Sequence, residues 1–245
     1  MIELSLDKIT VVRDGQTLVN DISVTLQPGK LTVLVGPNGA GKTTLLKCAA
    51  GILMPTSGTV KLNQQLLTSS SPIERARSIA YLPQSPALAW PLKVRDSVAL
   101  GRYAYGGSLQ TPTGEDKRKI DLAISACGLE ELQHRNADSL SGGEHARMHC
   151  ARLFASDAPL ILADEPVSAL DLKHQYQIMQ MIRHYVSETK GALIILHDLN
   201  LVARFSDRVI CMQNGSIVAD GTPKETLTPA LISNVFEIDS KIINL

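Results

Sequence analysis

GPNGAGKT, at residues 36–43, is the stretch that best predicts how this chain folds. It fits the pattern G-x-x-x-x-G-K-S/T, in which glycines let successive backbone N–H groups point at phosphate oxygens. The run LTVLV before it, at 31–35, is short, apolar and β-branched, as in a buried strand. The residues after it, from Thr44 to Ala50, predict a helix that Gly51 ends. A strand, this loop and a helix in that order predict a binding site for the phosphates of a nucleoside triphosphate.

Individual residues of this loop have distinct predicted roles. Lys42 is expected to reach the β- and γ-phosphates, and Thr43 to offer a hydroxyl to Mg²⁺. The N-terminus of the following helix adds partial positive charge. A chance glycine-rich turn is the alternative, and it leaves the flanking strand and helix unexplained. The predicted nucleotide-binding residues of this segment are Gly36, Pro37, Asn38, Gly39, Ala40, Gly41, Lys42, Thr43 and Thr44.

Size and apolar content fit one large α/β domain, or one that carries an inserted lobe. The chain has 245 residues, 44% of them apolar, so it can bury a substantial core without disulfides. No apolar run reaches the roughly 18 residues needed to cross a membrane. The N-terminal segment lacks a secretory pattern. Any membrane role is therefore expected to come through a partner protein.

Charge and cysteine usage narrow the class further. Basic and acidic residues number 24 each, and the formal net charge of +0 argues against a strongly basic nucleic-acid binder, although a local patch is compatible with it. The four cysteines are scattered without metal-ligand spacing, which predicts reduced core residues in a cytosolic protein. They are Cys48, Cys127, Cys150 and Cys211.

Short alternating segments near the N-terminus predict a small antiparallel sheet. Strands are expected at 2–6, 9–12 and 22–26, with a turn at the Asp-Gly pair within 13–15. Residues 58–63 are expected to add one more strand. The phosphate loop lies between these segments, so the sheet should flank the nucleotide.

Residues 91–156 contain helical patterns and no convincing strand, which predicts an inserted helical lobe. Its expected helices are Val94–Tyr103, a helix from the capping box Thr113–Asp116 to Ala126, and Gly142–Ala155 behind an N-cap at Ser141. The loop 105–112 is predicted to be its most flexible part.

Outside this lobe, the strand pattern predicts a parallel core. The expected elements are strands within 78–84, 160–163 and 192–196, an amphipathic helix at 171–189 with a stripe of Leu172, Gln175, Met179, Ile182 and Val186, a hairpin at 209–219, and two short helices and a tail in 222–245. Strand, helix and strand at these lengths indicate a parallel crossover.

Two carboxylates, Asp164 and Glu165, end the predicted strand at 160–163. Ligands bind beyond the carboxyl ends of parallel strands, here next to the phosphate loop. Asp164 is therefore expected to hold Mg²⁺, and Glu165 to act as the general base for the attacking water. The alternative is an acidic turn that caps the next helix.

Gln84 and His197 end two other predicted core strands. Gln84 could coordinate Mg²⁺ or the attacking water, and His197 could contact the γ-phosphate and that water. A hinge role for Gln84 and a capping role for His197 remain alternatives. Asp198 is more consistent with an N-cap than with catalysis.

LSGGE, at residues 140–144, predicts a second anion site. The Ser141 hydroxyl, the N–H groups of Gly142 and Gly143, and a helix N-terminus all favour an anion. One nucleotide does not need two such sites in one chain, whereas a two-fold dimer would face this site toward the partner's nucleotide. A plain N-cap is the alternative.

Together these segments resemble the ATP-binding cassette (ABC) ATPase family over nearly the whole chain. Residues 36–43 are similar to its Walker A motif, Gln84 to its Q-loop, and 140–144 to its LSGGQ signature. Residues 160–165 are similar to Walker B with the catalytic glutamate, 168–171 to the D-loop, and His197 to the switch histidine. The resemblance implies an α/β P-loop NTPase fold with a RecA-like core, a small antiparallel β subdomain and an inserted helical subdomain.

Several positions depart from that family pattern or keep a second interpretation. Glu144 replaces the usual signature glutamine. No aromatic residue occurs near Val11–Arg13, where the family usually stacks a tyrosine on adenine, and Val12 takes that place. Selectivity for ATP over GTP therefore stays open. Asp171, a nucleotide-site residue by resemblance, is also a good N-cap.

A single cassette without membrane spans resembles a bacterial importer subunit, especially of the group for iron-siderophores, haem and vitamin B12. Segments 90–94, 98–102, 197–200 and 221–236 carry this weaker likeness. It implies ATP and Mg²⁺ as cofactors and a head-to-tail homodimer. The implied partners are permease subunits that dock near Gln84 and, indirectly, a substrate-binding protein, with no nucleic acid. The implied location is peripheral, on the cytoplasmic face of the inner membrane. Cargo selectivity would lie in the permease and binding protein.

The expected organisation is one ABC ATPase domain over 1–245. The nucleotide core and antiparallel sheet take 1–90 and 157–221, the helical subdomain 91–156, and short terminal helices 222–245. Rival interpretations are an importer ATPase for a metal ion or oxyanion, a non-transport ABC ATPase, and an ATP-gated scaffold. Long coiled-coil insertions or a second cassette, typical of the non-transport class, do not occur in this sequence.

Overall fold

Two β-sheets contain the short apolar runs of the sequence. The computed structural model describes residues 2–84, 91–106, 113–168 and 170–237. Strands in these residues are β1 (Leu4–Arg13), β2 (Gln16–Leu26), β3 (Leu31–Val35), β4 (Ser57–Leu62), β5 (Gln65–Leu66), β6 (Ile79–Leu82), β7 (Leu160–Asp164), β8 (Gly191–Ile195), β9 (Arg208–Gln213) and β10 (Ser216–Gly221).

Helices cover both faces of the larger sheet. They are α1 (Lys42–Ala49), α2 (Pro72–Ser78), α3 (Val94–Ala99), α4 (Gly114–Ala126), α5 (Gly142–Ala155), α6 (Leu172–Tyr185), α7 (Leu199–Phe205), α8 (Pro223–Thr226) and α9 (Pro229–Phe236). Short 3₁₀ segments lie at Leu67–Ser69, Leu100–Tyr105, Glu130–Leu132 and Ala137–Ser139. No helix of the described residues is long and apolar enough to cross a membrane.

The smaller sheet is the predicted antiparallel one, in the order β2-β1-β4-β5. Its first turn contains Asp14 and Gly15 at φ 50° and 75°, the left-handed geometry that two-residue hairpins favour. The prediction of separate strands at 2–6 and 9–12 is wrong, because β1 is continuous. Irregular pairing around Lys8, whose φ is 50°, bends it without ending it.

The larger sheet has the order β10-β9-β3-β8-β7-β6. Strands β9, β3, β8, β7 and β6 run parallel, and β10 returns antiparallel to β9. Every residue of β3, β7 and β8 is buried, as expected for strands with both faces covered. The parallel direction brings the ends of β3, β6, β7 and β8 to one edge, where the predicted chemistry converges.

The core lies in two layers, one on each side of this sheet. On one side, α1 packs between the two sheets, with Leu46 and Leu162 fully buried. On the other side, α5 and α6 cover the sheet, and Met179 and Ile182 are fully buried. Each such side chain contributes about 1.5–3 kcal/mol by leaving water.

A buried ion pair fastens the helices between β6 and β7. Arg102 Nε donates to Asp116 Oδ1 at 2.8 Å, and these residues are only 4% and 2% exposed. Burial acts to raise the pKa of Asp116, but hydrogen bonds from Arg102 and Thr113 outweigh it and lower that pKa. The Arg102 guanidinium also donates to the carbonyls of Ala155 and Ser156, which ties this layer to the end of α5.

Two predicted helices differ from the structure. The α-helix expected over Val94–Tyr103 ends at Ala99 and continues as a 3₁₀ segment, whose Arg102 is held by α5. The helix expected over 171–189 ends at Tyr185, because the chain reverses through paired Ser187 and Lys190 before β8. Leu172, placed on its buried stripe, is 70% exposed.

Helix α2 was missed, although Ser71 and Glu74 form a capping box at its start. The predicted capping box at Thr113–Asp116, the N-cap at Ser141 and the final hairpin are confirmed. Predictions for the loop 107–112, Trp90, Ala169 and the tail 238–245 lie outside the described residues.

Candidate nucleotide site

The phosphate loop bridges β3 and α1 and touches backbone on two sides. A Cβ atom on Gly36, whose φ is 144°, would lie 2.1 Å from the Met212 carbonyl oxygen. A Cβ atom on Gly41, whose φ is 95°, would lie 2.3 Å from the Leu18 carbonyl oxygen. Only glycine combines these φ angles with such close approaches. The loop is therefore wedged between the hairpins β1–β2 and β9–β10.

Hydrogen bonds fix the same arrangement. The Gly215 N–H donates to the Ala40 carbonyl at 3.2 Å, and the Asn20 N–H donates to the Gly215 carbonyl at 2.8 Å. The turn of the last hairpin thus links the loop to the antiparallel sheet. This link holds the loop shape on which N–H donation to an anion depends.

Lys42 opens α1 and folds back over the loop. Its Nζ donates to the carbonyls of Gly36 and Pro37, each at 2.8 Å. Burial lowers the pKa of Lys42, whereas the negative charges of Glu165 and Asp164 act to raise it. An anion in the loop would add a counter-charge to this buried ammonium group.

Asp164, the last residue of β7, lies beside Thr43. The Thr43 hydroxyl donates to Asp164 Oδ1 at 3.2 Å, and Asp164 is 2% exposed. Burial raises the pKa of Asp164, and the negative charge of Glu165 raises it further. The Thr43 hydroxyl and the positive charges of Lys47 and Lys42 act to lower this pKa but do not outweigh the burial. A hydroxyl and a buried carboxylate that resists ionisation are a donor set that a hard divalent cation would stabilise.

Glu165 is the centre of a three-residue contact. Its Oε2 accepts from Gln84 Nε2 at 2.7 Å, and its Oε1 lies 2.5 Å from His197 Nε2. Its φ of 51° is in the left-handed region, an uncommon and strained backbone state for a side chain of this kind. The structure therefore brings together the three residues that the sequence assigned to catalysis.

The predicted second anion site is built as a capping box. Ser141 Oγ accepts from the Glu144 N–H at 3.4 Å, and Glu144 Oε2 accepts from the Ser141 N–H at 2.8 Å. That bond is the main cause that lowers the pKa of Glu144. Among the described residues, no hydrogen bond joins Ser141, Gly142 or Gly143 to the phosphate loop. One chain thus keeps its two predicted anion sites unconnected.

Asp171 acts as the N-cap of α6, which was the alternative to a nucleotide contact. Its Oδ1 accepts from the His174 N–H at 3.0 Å and lies 2.8 Å from His174 Nδ1. The other side of that imidazole faces Gly143, where a Cβ atom would meet the ring at 3.1 Å. The sequence analysis missed His174, although its spacing of three residues from an N-cap aspartate was a usable signal.

Two other predicted positions have simple surroundings. Asp198 Oδ1 accepts from the N–H groups of Asn200 and Leu201, so it is an N-cap as expected. Val12, at the place of the absent aromatic, is 39% exposed on β1, and its N–H donates to Thr56 Oγ1.

Comparisons with known proteins agree with this geometry. Residues 19–168 match the family model described as ABC transporter. The chain is 36% identical to the achromobactin transport ATP-binding protein CbrD of Dickeya dadantii, covering 96% of this chain and 88% of the relative. It is 34% identical to the iron(3+)-hydroxamate import ATP-binding protein FhuC of Bacillus subtilis, with 99% and 91% covered. It is 38% identical to the hemin import ATP-binding protein HmuV of Rhodopseudomonas palustris, with 92% and 87% covered.

Solved structures share the fold. The ATP-binding cassette MJ1267 in its ADP conformation superposes with a TM-score of 0.84 at 24% identity, over 100% of both chains. A dimeric post-hydrolysis state of the cassette MJ0796, bound to ADP and phosphate, superposes with a TM-score of 0.79 at 24% identity, over 90% of this chain and 98% of that one. These likenesses place the phosphate loop and both sheets in a known architecture.

The wedged loop predicts unequal effects for two glycine substitutions. Gly39→Ala meets no atom within 4 Å at its φ of 81°, so it should cost only the left-handed strain of about 1–2 kcal/mol. Gly36→Ala adds a backbone collision to a strained φ and should cost at least about 3 kcal/mol. Urea unfolding of both variants measures the difference. Equal losses would contradict the close approach to Met212.

Proposed function

The chain belongs to the ABC transporter family, whose ATP-binding proteins are ATPases, and from this premise we propose that it powers an importer for an iron chelate or haem. The observation that carries the cargo class is the identity of 34–38% with CbrD, FhuC and HmuV over nearly the whole chain. Their names state achromobactin transport, iron(3+)-hydroxamate import and hemin import.

The phosphate loop and Lys42 would bind the triphosphate. The loop N–H groups and the N-terminus of α1 supply fixed partial positive charge. Lys42 Nζ, held by two loop carbonyls, lies where it can exchange these contacts for phosphate oxygens. No acidic residue lies in the first turn of α1, so none competes with the phosphates there.

Thr43 and Asp164 are the residues that fit Mg²⁺, and Gln84 would join them by releasing Glu165. When bound, the ion would neutralise charge on the β- and γ-phosphate oxygens. A nearby cation would stabilise the ionised form of Asp164, which burial disfavours.

Glu165 would take the proton from the attacking water. The water oxygen bonds to the γ-phosphorus, the bond from that phosphorus to the ADP oxygen breaks, and the proton passes to the Glu165 carboxylate. Both carboxylate oxygens are engaged in the structure, by Gln84 and His197. Withdrawal of Gln84 would free Oε2 for water, while His197 keeps the carboxylate oriented.

A head-to-tail dimer would complete the site. In it, Ser141, Gly142 and Gly143 of one chain contact the γ-phosphate held by the other chain, with Asp171 near the same interface. Support comes from the helix N-terminus at Ser141, which has no hydrogen bond to the loop of its own chain among the described residues. Hydrolysis would remove these contacts and reopen the dimer.

Permease subunits would dock near Gln84 and the start of α3, at the cytoplasmic face of the cell membrane. The proposed organisation keeps the nucleotide core and antiparallel sheet in 1–90 and 157–221, the helical subdomain in 91–156, and the terminal helices in 222–245. A substrate-binding protein would act only through the permease. The rival functions are import of a metal ion or oxyanion and a non-transport ATPase.

Glu165→Gln should abolish hydrolysis without loss of ATP binding. The amide cannot accept the proton, so the turnover rate should fall at least about 100-fold. The trapped ATP should also hold the chain as a dimer, measured by light scattering with and without MgATP. Glu188→Gln changes an exposed glutamate and is the matched control. Near-normal turnover in Glu165→Gln would refute the assignment of the base.

The head-to-tail arrangement predicts a different result for Ser141→Asp in that trapped background. Aspartate keeps the helix cap but places a negative charge against the partner's γ-phosphate, so ATP should bind without forming the dimer. Ser71→Asp is the control, because Ser71 caps α2 with the same box. A stable ATP dimer of Ser141→Asp would refute the arrangement.

Membrane coupling is tested in the source cells. The tagged chain, purified from detergent-solubilised membranes, should retain a polytopic membrane protein, and loss of the chain should reduce uptake of a ferric chelate or haem at least tenfold. Complementation with Glu165→Gln should not restore uptake. Normal uptake of all such cargoes with full ATPase activity would favour the rival functions.

A further inference from the structure

A cavity of about 300 Å³ lies beside β6, away from the phosphate loop. Its walls come from α2, β6, the 3₁₀ segment Leu100–Tyr105 and α5. Its described lining residues include none from the loop 36–43 and none that is acidic. Its polar lining includes Tyr81, His149 and Arg152. His149 and Arg152, both on α5, have no hydrogen-bond or ion-pair partner among the described residues.

His149 is the most buried of these groups. It is 2% exposed on α5, and neither ring nitrogen has a hydrogen-bond partner. Buried side-chain nitrogens normally have one, and leaving such a group without a partner is destabilising. Burial lowers the pKa of His149 to about 3, and the charges of Arg152 and His145 add to the effect. The imidazole is thus held as a neutral, unused donor and acceptor on the cavity wall.

Arg152 is a half-buried cation without a counter-ion. No ion pair or hydrogen bond to it occurs in the described residues, and burial alone lowers its pKa. Arg102, which contacts the end of α5, shows the usual solution, since Asp116 and two carbonyls satisfy its guanidinium. Partly buried charges are often paired in that way, and Arg152 has no such partner among the described residues, so an anion beside it would stabilise its charged form.

Tyr81, on β6, packs its side chain on the α1 face of the sheet, whereas α5 covers the other face. Its hydroxyl is buried without a partner, and burial raises the Tyr81 pKa to about 12, with the charge of Asp164 as a second cause. This hydroxyl therefore lies away from His149 and Arg152. On α2, Glu74 is engaged with Ser71 in its capping box, and the Arg77 guanidinium lies over the Tyr105 ring. Among the described residues that line the cavity, Arg152 is the one that carries a formal charge.

We propose that this cavity binds a small oxyanion of the carboxylate or phosphate class. The Arg152 guanidinium supplies the charge and a planar fork of N–H donors, which suits both anions. His149 supplies a further hydrogen bond from the cavity wall. A volume of about 300 Å³ is that of roughly ten waters, enough for phosphate or a short carboxylate with its own hydration. The site is separate from the nucleotide site and does not depend on hydrolysis.

The test uses the full chain labelled at histidine, arginine and lysine for NMR. Acetate and inorganic phosphate are titrated in separate arms, with the His149 ring as reporter for the cavity and the Lys42 amide as reporter for the phosphate loop. At least one anion should shift the His149 signals saturably, with a Kd of about 1–10 mM. The two arms identify the preferred class, and the Lys42 amide separates this binding from phosphate in the loop.

Arg152→Gln should weaken the binding at least about tenfold, because it removes the charge at nearly constant length. The matched control is Arg118→Gln, which removes an exposed arginine of α4 and should leave the titration unchanged. His149→Gln, followed at Arg152 Nε, is a second variant that keeps hydrogen-bonding capacity in case the first one fails to fold. An unshifted His149 ring with both anions, or equal affinity in Arg152→Gln, would overturn the proposal. ATP turnover of the unmodified chain in the same buffer keeps that outcome separate from the proposed ATPase.

Discussion

Close backbone contact at the phosphate loop is the constraint on which the rest of this structure depends. The loop lies with Gly36 against the Met212 carbonyl and Gly41 against the Leu18 carbonyl, at distances that leave no room for a Cβ atom. These contacts fix the position of both hairpins relative to β3 and α1. The antiparallel sheet and the last two core strands are thus held around the loop, which can present its N–H groups to phosphate without reorganising.

The residues proposed for catalysis follow the ends of the parallel strands. Gln84, Glu165 and His197 follow strands β6, β7 and β8, which are neighbours in the sheet, so their side chains meet although they are far apart in sequence. The left-handed backbone at Glu165 turns its carboxylate toward both neighbours. Asp164, one residue earlier, stays buried beside Thr43. Adjacent carboxylates thus have different surroundings, which suits one for a cation and the other for a proton.

Helix caps have a second use in this chain. Ser141 and Asp171 each satisfy the first turn of a helix, and His174 links them by bonding Asp171 while its ring packs against Gly143. A shift of α6 would therefore change the contact with Gly143, one of the glycines that we assign to the partner's nucleotide. At the other end of α5, Arg102 pairs with Asp116 and bonds the Ala155 carbonyl.

Some features depend only on neighbours within a few positions, and local sequence alone determined them. They are the phosphate loop with its strand and helix, the caps at Ser141 and Asp198, the Asp14–Gly15 turn, and the residues that end the core strands. A resemblance to known motifs then related the separate segments to one site. Tertiary structure decided where α6 ends, the change from α-helix to 3₁₀ helix before Arg102, and the contacts of Glu165 with Gln84 and His197. It also decided that Arg102 is paired and Arg152 is not, which no local pattern records. The contacts of Arg102 and Glu165 join partners 14 to 81 positions apart, and only the folded chain brings such groups together.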